Sequence, residues 1–174
     1  VEYAGVGIQG TIDRVDVDGS GNLLVIDYKH KSALFSEYAL FGTDDPDEFC
    51  LPRRVQTLIY ATALKRAAAS AGHAEPRVVG AVYLGTRGDV KTVSGAMEEQ
   101  VADRVLGEGA SPRSRRRVCV PGGGVSSFPE LLERTEELVG KAVERMLAGD
   151  VEARPRDAHA CEWCPVADCA RRVR

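Results

Sequence analysis

The stretch from residue 6 to residue 29 constrains the fold more than any other. Two apolar segments are separated by Asp18-Gly19-Ser20-Gly21-Asn22, a dense cluster of turn-forming residues. Residues 6–17 set Val6, Ile8, Ile12, Val15 and Val17 among polar residues and glycines, a strand pattern in which Gly10 marks a bulge or a close backbone approach. Residues 23–29 read Leu-Leu-Val-Ile-Asp-Tyr-Lys, a second strand. A connection this short predicts an antiparallel hairpin, with a loop slightly longer than the tightest type.

The rest of the chain supplies more strands and the helices to cover them. Residues 31–51, with Asp44, Asp45, Asp47 and Glu48 around Pro46, read as an exposed loop. Residues 53–71 predict an Ala-rich helix ended by Gly72, with Val55, Leu58, Ile59 and Thr62 facing inward. Residues 77–85 predict a third strand and 89–95 a fourth, after a turn at Arg87-Gly88. Residues 98–106 read as a short helix. The Gly-, Pro-, Ser- and Arg-rich stretch 107–125 reads as a mobile loop holding a short strand from Arg117 to Val120. Residues 129–148 make the clearest helix, with Leu131, Leu132, Thr135, Leu138, Val139, Ala142, Met146 and Leu147 at helical spacing and Gly149 as its stop. Glu137 and Lys141 stand four apart in the favourable order. The 174 residues suit one domain with a real core, and at 6% aromatic content that core rests on Val, Leu, Ile and Ala.

Composition excludes several classes. With 44% hydrophobic and 28% charged residues the chain is not disordered. Its longest aliphatic run, Leu23 to Ile26, is too short to span a bilayer, and no charged start leads into an apolar stretch. The expectation is a cytoplasmic protein without a membrane partner or a small-molecule substrate. The chain opens on Val1 inside a strand-like pattern, so it reads as a fragment of something longer. A net charge of −3 excludes an overall basic surface but not a local one. Arg outnumbers Lys 18 to 5, with clusters at Arg113, Arg115, Arg116, Arg117 and at Arg171, Arg172, Arg174. Such clusters make sequence-blind phosphate contacts, or are simply a solvated loop and tail.

Three constellations carry possible chemistry. The first joins Asp13, in Gly10-Thr11-Ile12-Asp13-Arg14-Val15-Asp16, to Asp27 and Lys29 on the second strand. Asp27 and Lys29 share a face, roughly 6.6 Å apart at about 3.3 Å per residue. Two carboxylates on paired strands suit a hard cation such as Mg²⁺, with the Tyr28 carbonyl as a third oxygen. Lys29 beside them would hold an attacking water or meet a phosphate. An Asp-x-Lys triplet alone carries little: chance supplies about 0.7 in a chain of this composition. A second, Asp89-Val90-Lys91, lacks an acid across a hairpin and reads as accidental. The alternative for the first set is ordinary exposed residues at strand ends.

The second constellation is Arg53, Gln56 and Tyr60, which share a helical face that could position DNA phosphate or a bound water, or merely be solvated. The third is Cys161, Cys164 and Cys169 around Trp163, a C-x2-C-x4-C spacing with the thiolate chemistry of iron–sulfur or zinc sites. A fourth ligand would come from Cys50, Cys119 or beyond this stretch.

Taken in order, these pieces resemble the nuclease domain of the RecB/AddB-type exonucleases, within the PD-(D/E)XK superfamily. Gly10 to Asp16 looks like the family's G-x-I-D-R-x-D strand, Ile26 to Lys29 its D-Y-K strand, and Gln56 to Tyr60 its Q-x-x-x-Y helix. Ala148 to Pro155 looks like the lead-in to its Cys cluster. The resemblance implies an α/β, restriction-endonuclease-like fold, a mixed central β-sheet flanked by helices. It implies Asp13 and Asp27 as ligands of Mg²⁺ or Mn²⁺, Lys29 as the catalytic lysine, and Gln56 and Tyr60 as its support. It also implies a 4Fe–4S cluster that pins a Cys-rich tail, residues 155–174, with the fourth Cys ahead of the nuclease strands. The family's earlier acidic residue or His is not matched here. DNA would be the substrate, a helicase domain or subunit the partner, and double-strand-break repair the setting. Arg53, Arg115 and Arg116 would contact DNA. Alternatives are a non-catalytic DNA-binding or scaffolding module, a zinc-stabilised interaction domain, and a CRISPR-adaptation nuclease similar in the same motifs.

Overall fold

The computed structural model describes residues 1–31, 51–52, 54–70, 77–87, 92–107, 109–116, 118–120, 124–155, 158–162 and 164–172, the side chains of 113, 116, 158 and 159 excepted. The chain opens with a small hairpin, β1 (Glu2–Tyr3) against β2 (Val6–Gly7). Its two central residues, Ala4 and Gly5, both have positive φ, 47° and 79°, as a type I′ turn requires. The expected single strand over 6–17 is therefore two pieces. Residues 8–13 leave the ladder, and β3 (Arg14–Val17) begins afresh.

β3 pairs antiparallel with β4 (Leu23–Lys29), from Arg14 opposite Ile26 to Val17 opposite Leu23. The turn between them is built on Asp18. Its Oδ1 accepts from the Ser20 and Asn22 amides at 2.9 and 3.0 Å, and its Oδ2 from Asn22 Nδ2 at 2.9 Å. Led by the Asn22 side chain, these bonds hold the Asp18 carboxyl down to about 2.

The chain then crosses through α1 (Gln56–Ser70) to β5 (Val78–Gly85), which lies parallel to β4. Parallel strands need such a crossover, and helices then cover both faces, so β4 and β5 read as nearly unbroken apolar runs. β6 (Thr92–Glu98) turns back antiparallel to β5 and passes directly into α2 (Glu99–Leu106). α3 (Pro112–Arg116) leads to β7 (Cys119–Val120), parallel to β6. The sheet order is β3-β4-β5-β6-β7, a mixed sheet as expected. The fourth strand lies three residues later than its sequence reading at either end. Part of the stretch expected to be a mobile loop, 112–116, is helical.

α4 (Phe128–Leu147) starts on a cap written in the sequence. Ser127 Oγ accepts from the Glu130 amide at 3.3 Å, and Glu130 Oε2 reaches back to the Ser126 amide and hydroxyl at 2.9 and 2.6 Å. Its buried residues are Phe128, Leu131, Leu132, Thr135 and Val139. The periodicity continues past the sheet edge without burial: Ala142 is exposed, Met146 is 69% exposed and Leu147 is 64% exposed. Lys141 Nζ meets Glu137 Oε1 at 2.5 Å, as the spacing predicts. A last short helix, α5 (Ala158–Glu162), precedes the remaining cysteines.

Two apolar clusters sandwich the sheet. Val25, Ala81 and Ala96 pack under Leu58 and Ala61 of α1 and Phe128, Leu131 and Leu132 of α4. Leu24, Ile26, Val82 and Met97 face Val101 and Ala102 of α2. Alternation along β4 thus assigns odd-numbered residues to the α1 face. Among the described residues, no helix is long and apolar enough to cross a membrane.

Candidate active site

Asp27 and Lys29 follow Val25 on the α1 face of β4, and Tyr28 points the other way. Asp27 is 2% exposed, an unusual place for a carboxylate. Its Oδ2 forms an ion pair with Lys29 Nζ, and among the described residues no further donor reaches that oxygen. Asp13 stands one step beyond the Arg14–Ile26 pair, so continuing the register sets it across from Asp27. It is exposed, and its Oδ2 accepts from the Tyr28 amide at 2.9 Å. The β3–β4 pairing thereby brings both carboxylates to the same end of one hairpin.

Lys29 is held from several sides. Besides the Asp27 ion pair, its Nζ donates to Gln56 Oε1 at 3.2 Å. Gln56 Nε2 in turn donates to Tyr60 OH at 2.9 Å, one helical turn on. The Gln-x-x-x-Tyr stripe is therefore a relay of hydrogen bonds leading to the lysine rather than a plain solvated face.

A further residue completes the set and escaped the sequence reading. Tyr83 is fully buried and lies opposite Asp27 in the β5 register. Its ring centroid is 5.4 Å from Lys29 Nζ, a cation–π contact. Its hydroxyl donates to the Arg54 carbonyl at 3.1 Å and accepts from the Thr57 amide at 3.3 Å. Tyr83 thus seats the first turn of α1, and with it Gln56, over the sheet. Burial pushes its phenol above the ordinary value, against the lowering effect of the Thr57 hydrogen bonds. The only signal in the sequence was a tyrosine inside the apolar run 78–85.

Gly10 proves to be a close approach. A Cβ there would lie 2.9 Å from Tyr60 Cε1 and 3.1 Å from its hydroxyl. Residues 8–13 therefore run against the Tyr60 ring on their way to Asp13.

The donor set fits a hard divalent cation. Asp27 Oδ2 is a buried carboxylate oxygen met by the Lys29 ammonium and, among the described residues, by no further donor, and Asp13 adds a second carboxylate with lone pairs to spare. Among the described residues no group of three or more His, Cys, Asp or Glu side chains is gathered for a metal. A site here would rest on two carboxylates, backbone oxygen and water. The same holds for the tail: Cys161 is buried, Cys164 and Cys169 partly so, and among the described residues the three are not gathered into a ligand set.

The arginines divide. Arg115 pairs with both Asp103 and Glu99 of α2, so a phosphate would compete with two carboxylates for it. Arg53 and the side chain of Arg116 lie outside the described residues, as do Cys50, Trp163, Asp89-Val90-Lys91 and the loop interior 32–50. Arg172 donates to the Cys164 and Val166 carbonyls at 3.1 and 3.3 Å and so braces the tail.

No curated protein and no solved structure matches the chain significantly. One family pattern does, described as the PD-(D/E)XK nuclease superfamily, and it covers residues 1–169, including the hairpin, the lysine relay and the cysteine tail. With a mixed sheet of the expected kind and an Asp-Tyr-Lys strand inside it, the chain belongs to the PD-(D/E)XK nuclease superfamily.

Proposed function

We propose that the chain is a divalent-metal-dependent deoxyribonuclease in which Asp13 and Asp27 hold Mg²⁺ or Mn²⁺, with the Tyr28 carbonyl as a further oxygen ligand. The observation that carries this reading is Asp27 itself. A carboxylate only 2% exposed on an interior strand of a sheet is costly unless opposite charge compensates it. Lys29 meets part of that need, and its shared ties to Gln56 and Tyr83 fix the ammonium beside the carboxylate. A cation bound there would neutralise charge developing on a phosphodiester. Lys29 would orient the attacking water or hold a phosphate oxygen, with Gln56 and Tyr60 keeping it aimed.

The motif order resembling RecB/AddB-type enzymes supports exonucleolytic action on linear DNA, in the cytoplasm and alongside a helicase in double-strand-break repair. On the same basis Cys161, Cys164 and Cys169 are proposed to gather around a 4Fe–4S cluster with a fourth thiolate. A colourless, iron-free preparation from an anaerobic purification would remove that part.

The direct test is hydrolysis of linear DNA with Mg²⁺ or Mn²⁺, with a covalently closed circle as control. Degradation of the linear form alone is expected. Asp27→Ala and Lys29→Ala should each abolish it while circular dichroism stays unchanged. Full activity in either variant would remove the assigned roles.

A further inference from the structure

An open cleft of about 420 Å³ lies beside the lysine relay. Ile8, Gln9 and Ile12 form one wall, and Ile59, Tyr60 and Ala63 of α1 form the other. Its size falls within the range of small-ligand sites. Tyr60 belongs to both places: its hydroxyl accepts from Gln56 in the relay, and its side chain lines the cleft. The cleft therefore adjoins the far end of the relay that runs through Gln56 to Lys29.

The lining selects the kind of group. With Val1 and Gly10 also contributing, the lining is mostly aliphatic and aromatic and contains no charged side chain, so it favours an uncharged group over a phosphate. The exposed Gln9 can both donate and accept hydrogen bonds, as can the Tyr60 hydroxyl. Residues 9–12 lie outside every strand ladder, so the sheet makes no use of their amides. An uncharged, flat group with a polar edge, attached next to a phosphodiester, meets this description. We propose that the cleft holds an unpaired nucleobase of the strand whose phosphodiester is presented to Asp13, Asp27 and Lys29. This rests on the nuclease reading and deepens it, because the base must be out of its duplex to enter. Single strands and frayed ends supply such a base at least cost.

The experiment uses the whole chain and fluorescein-labelled single-stranded oligodeoxynucleotides carrying one abasic position, moved along the strand. Binding is read by anisotropy without divalent metal, and cleavage separately with Mn²⁺. Loss of one base from an aromatic-lined site should weaken binding about 5- to 150-fold at one or two adjacent positions and little elsewhere. Ala63→Phe, which fills the cleft, should bind the intact strand as weakly as the unaltered chain binds the abasic one, and should no longer sense the abasic position. Gln9→Ala, at an exposed site, should show a smaller loss of the same sensitivity. A flat abasic scan with the unaltered chain overturns the proposal, and so does an Ala63→Phe chain that keeps its fold and its full sensitivity. Cleavage that proceeds equally at every abasic position leaves the nuclease reading intact and removes the cleft. Absence of cleavage and of Mn²⁺ binding removes the nuclease reading, and the binding scan still decides the cleft.

Discussion

Gly10→Ala tests how tightly the lysine relay depends on a segment that contributes no side chain to it. Gly10 is not in the positive-φ region, so alanine meets no backbone strain there, only the Tyr60 ring. Its Cβ would sit 2.9 Å from Tyr60 Cε1, where ordinary contact begins at 3.4 Å. The ring must retreat by roughly half an ångström or more, which is the scale of a small overpacking step. Because Tyr60 is only half-buried and borders the cleft, it can move, and the stability cost should stay near 1 kcal/mol, a fall of about 2–4 °C in Tm for a domain of this size. The effect on rate should be larger. The bond from Gln56 Nε2 to Tyr60 OH is 2.9 Å long, and a retreating ring stretches it and frees Gln56, which steadies Lys29. Misplacing a catalytic group by about 1 Å can cost about 100-fold, so kcat on linear DNA with Mn²⁺ should fall roughly 10- to 100-fold with a smaller change in KM. The decisive assay is a double-mutant cycle with Tyr60→Ala. In that background Gly10→Ala should change kcat by less than about twofold. An equal loss with and without the Tyr60 ring would refute the reasoning.

Tyr83→Phe should cost about 1–3 kcal/mol in urea unfolding, because it strands the buried Thr57 amide at the start of α1. An unchanged midpoint would mean that α1 is seated by packing alone. Ser127→Ala removes the side-chain cap of α4 and should cost about 1 kcal/mol, against near-neutral Ser127→Asp. Asp18 has a folded-state value of about 2, below the ordinary range near 4. Its contribution is therefore present above about pH 4 and is lost as pH falls toward 2. In urea titrations over that window, Asp18→Asn should flatten the decline, and a variant with the unaltered slope would sink this account.

Much of the site could be read from residue order because its members are close in sequence or on regular elements. Asp27 and Lys29 share a face by strand alternation, and Gln56 and Tyr60 by the helical turn. The spacing could not say that the two pairs touch. That contact exists because α1 crosses over β4 on the way to β5, which sets Gln56 above Lys29. Arg115 illustrates the converse. Its place in an arginine cluster suggested an open cation, but Asp103 and Glu99 come to it only once α2 and α3 pack.

The residues alone determined the local elements: the Asp18–Asn22 turn, the apolar strand after it, the two long helices, and the hairpin that carries Asp13 and Asp27. Short-range sterics and hydrogen bonding suffice for these, and each is encoded within a few residues. Tertiary packing alone decided that the strand pattern over 6–17 breaks at residue 8, that Gly10 lies against Tyr60, and that Tyr83 underlies the lysine. Alternation specifies which side a residue takes, but which partner waits on that side depends on how distant segments are brought together.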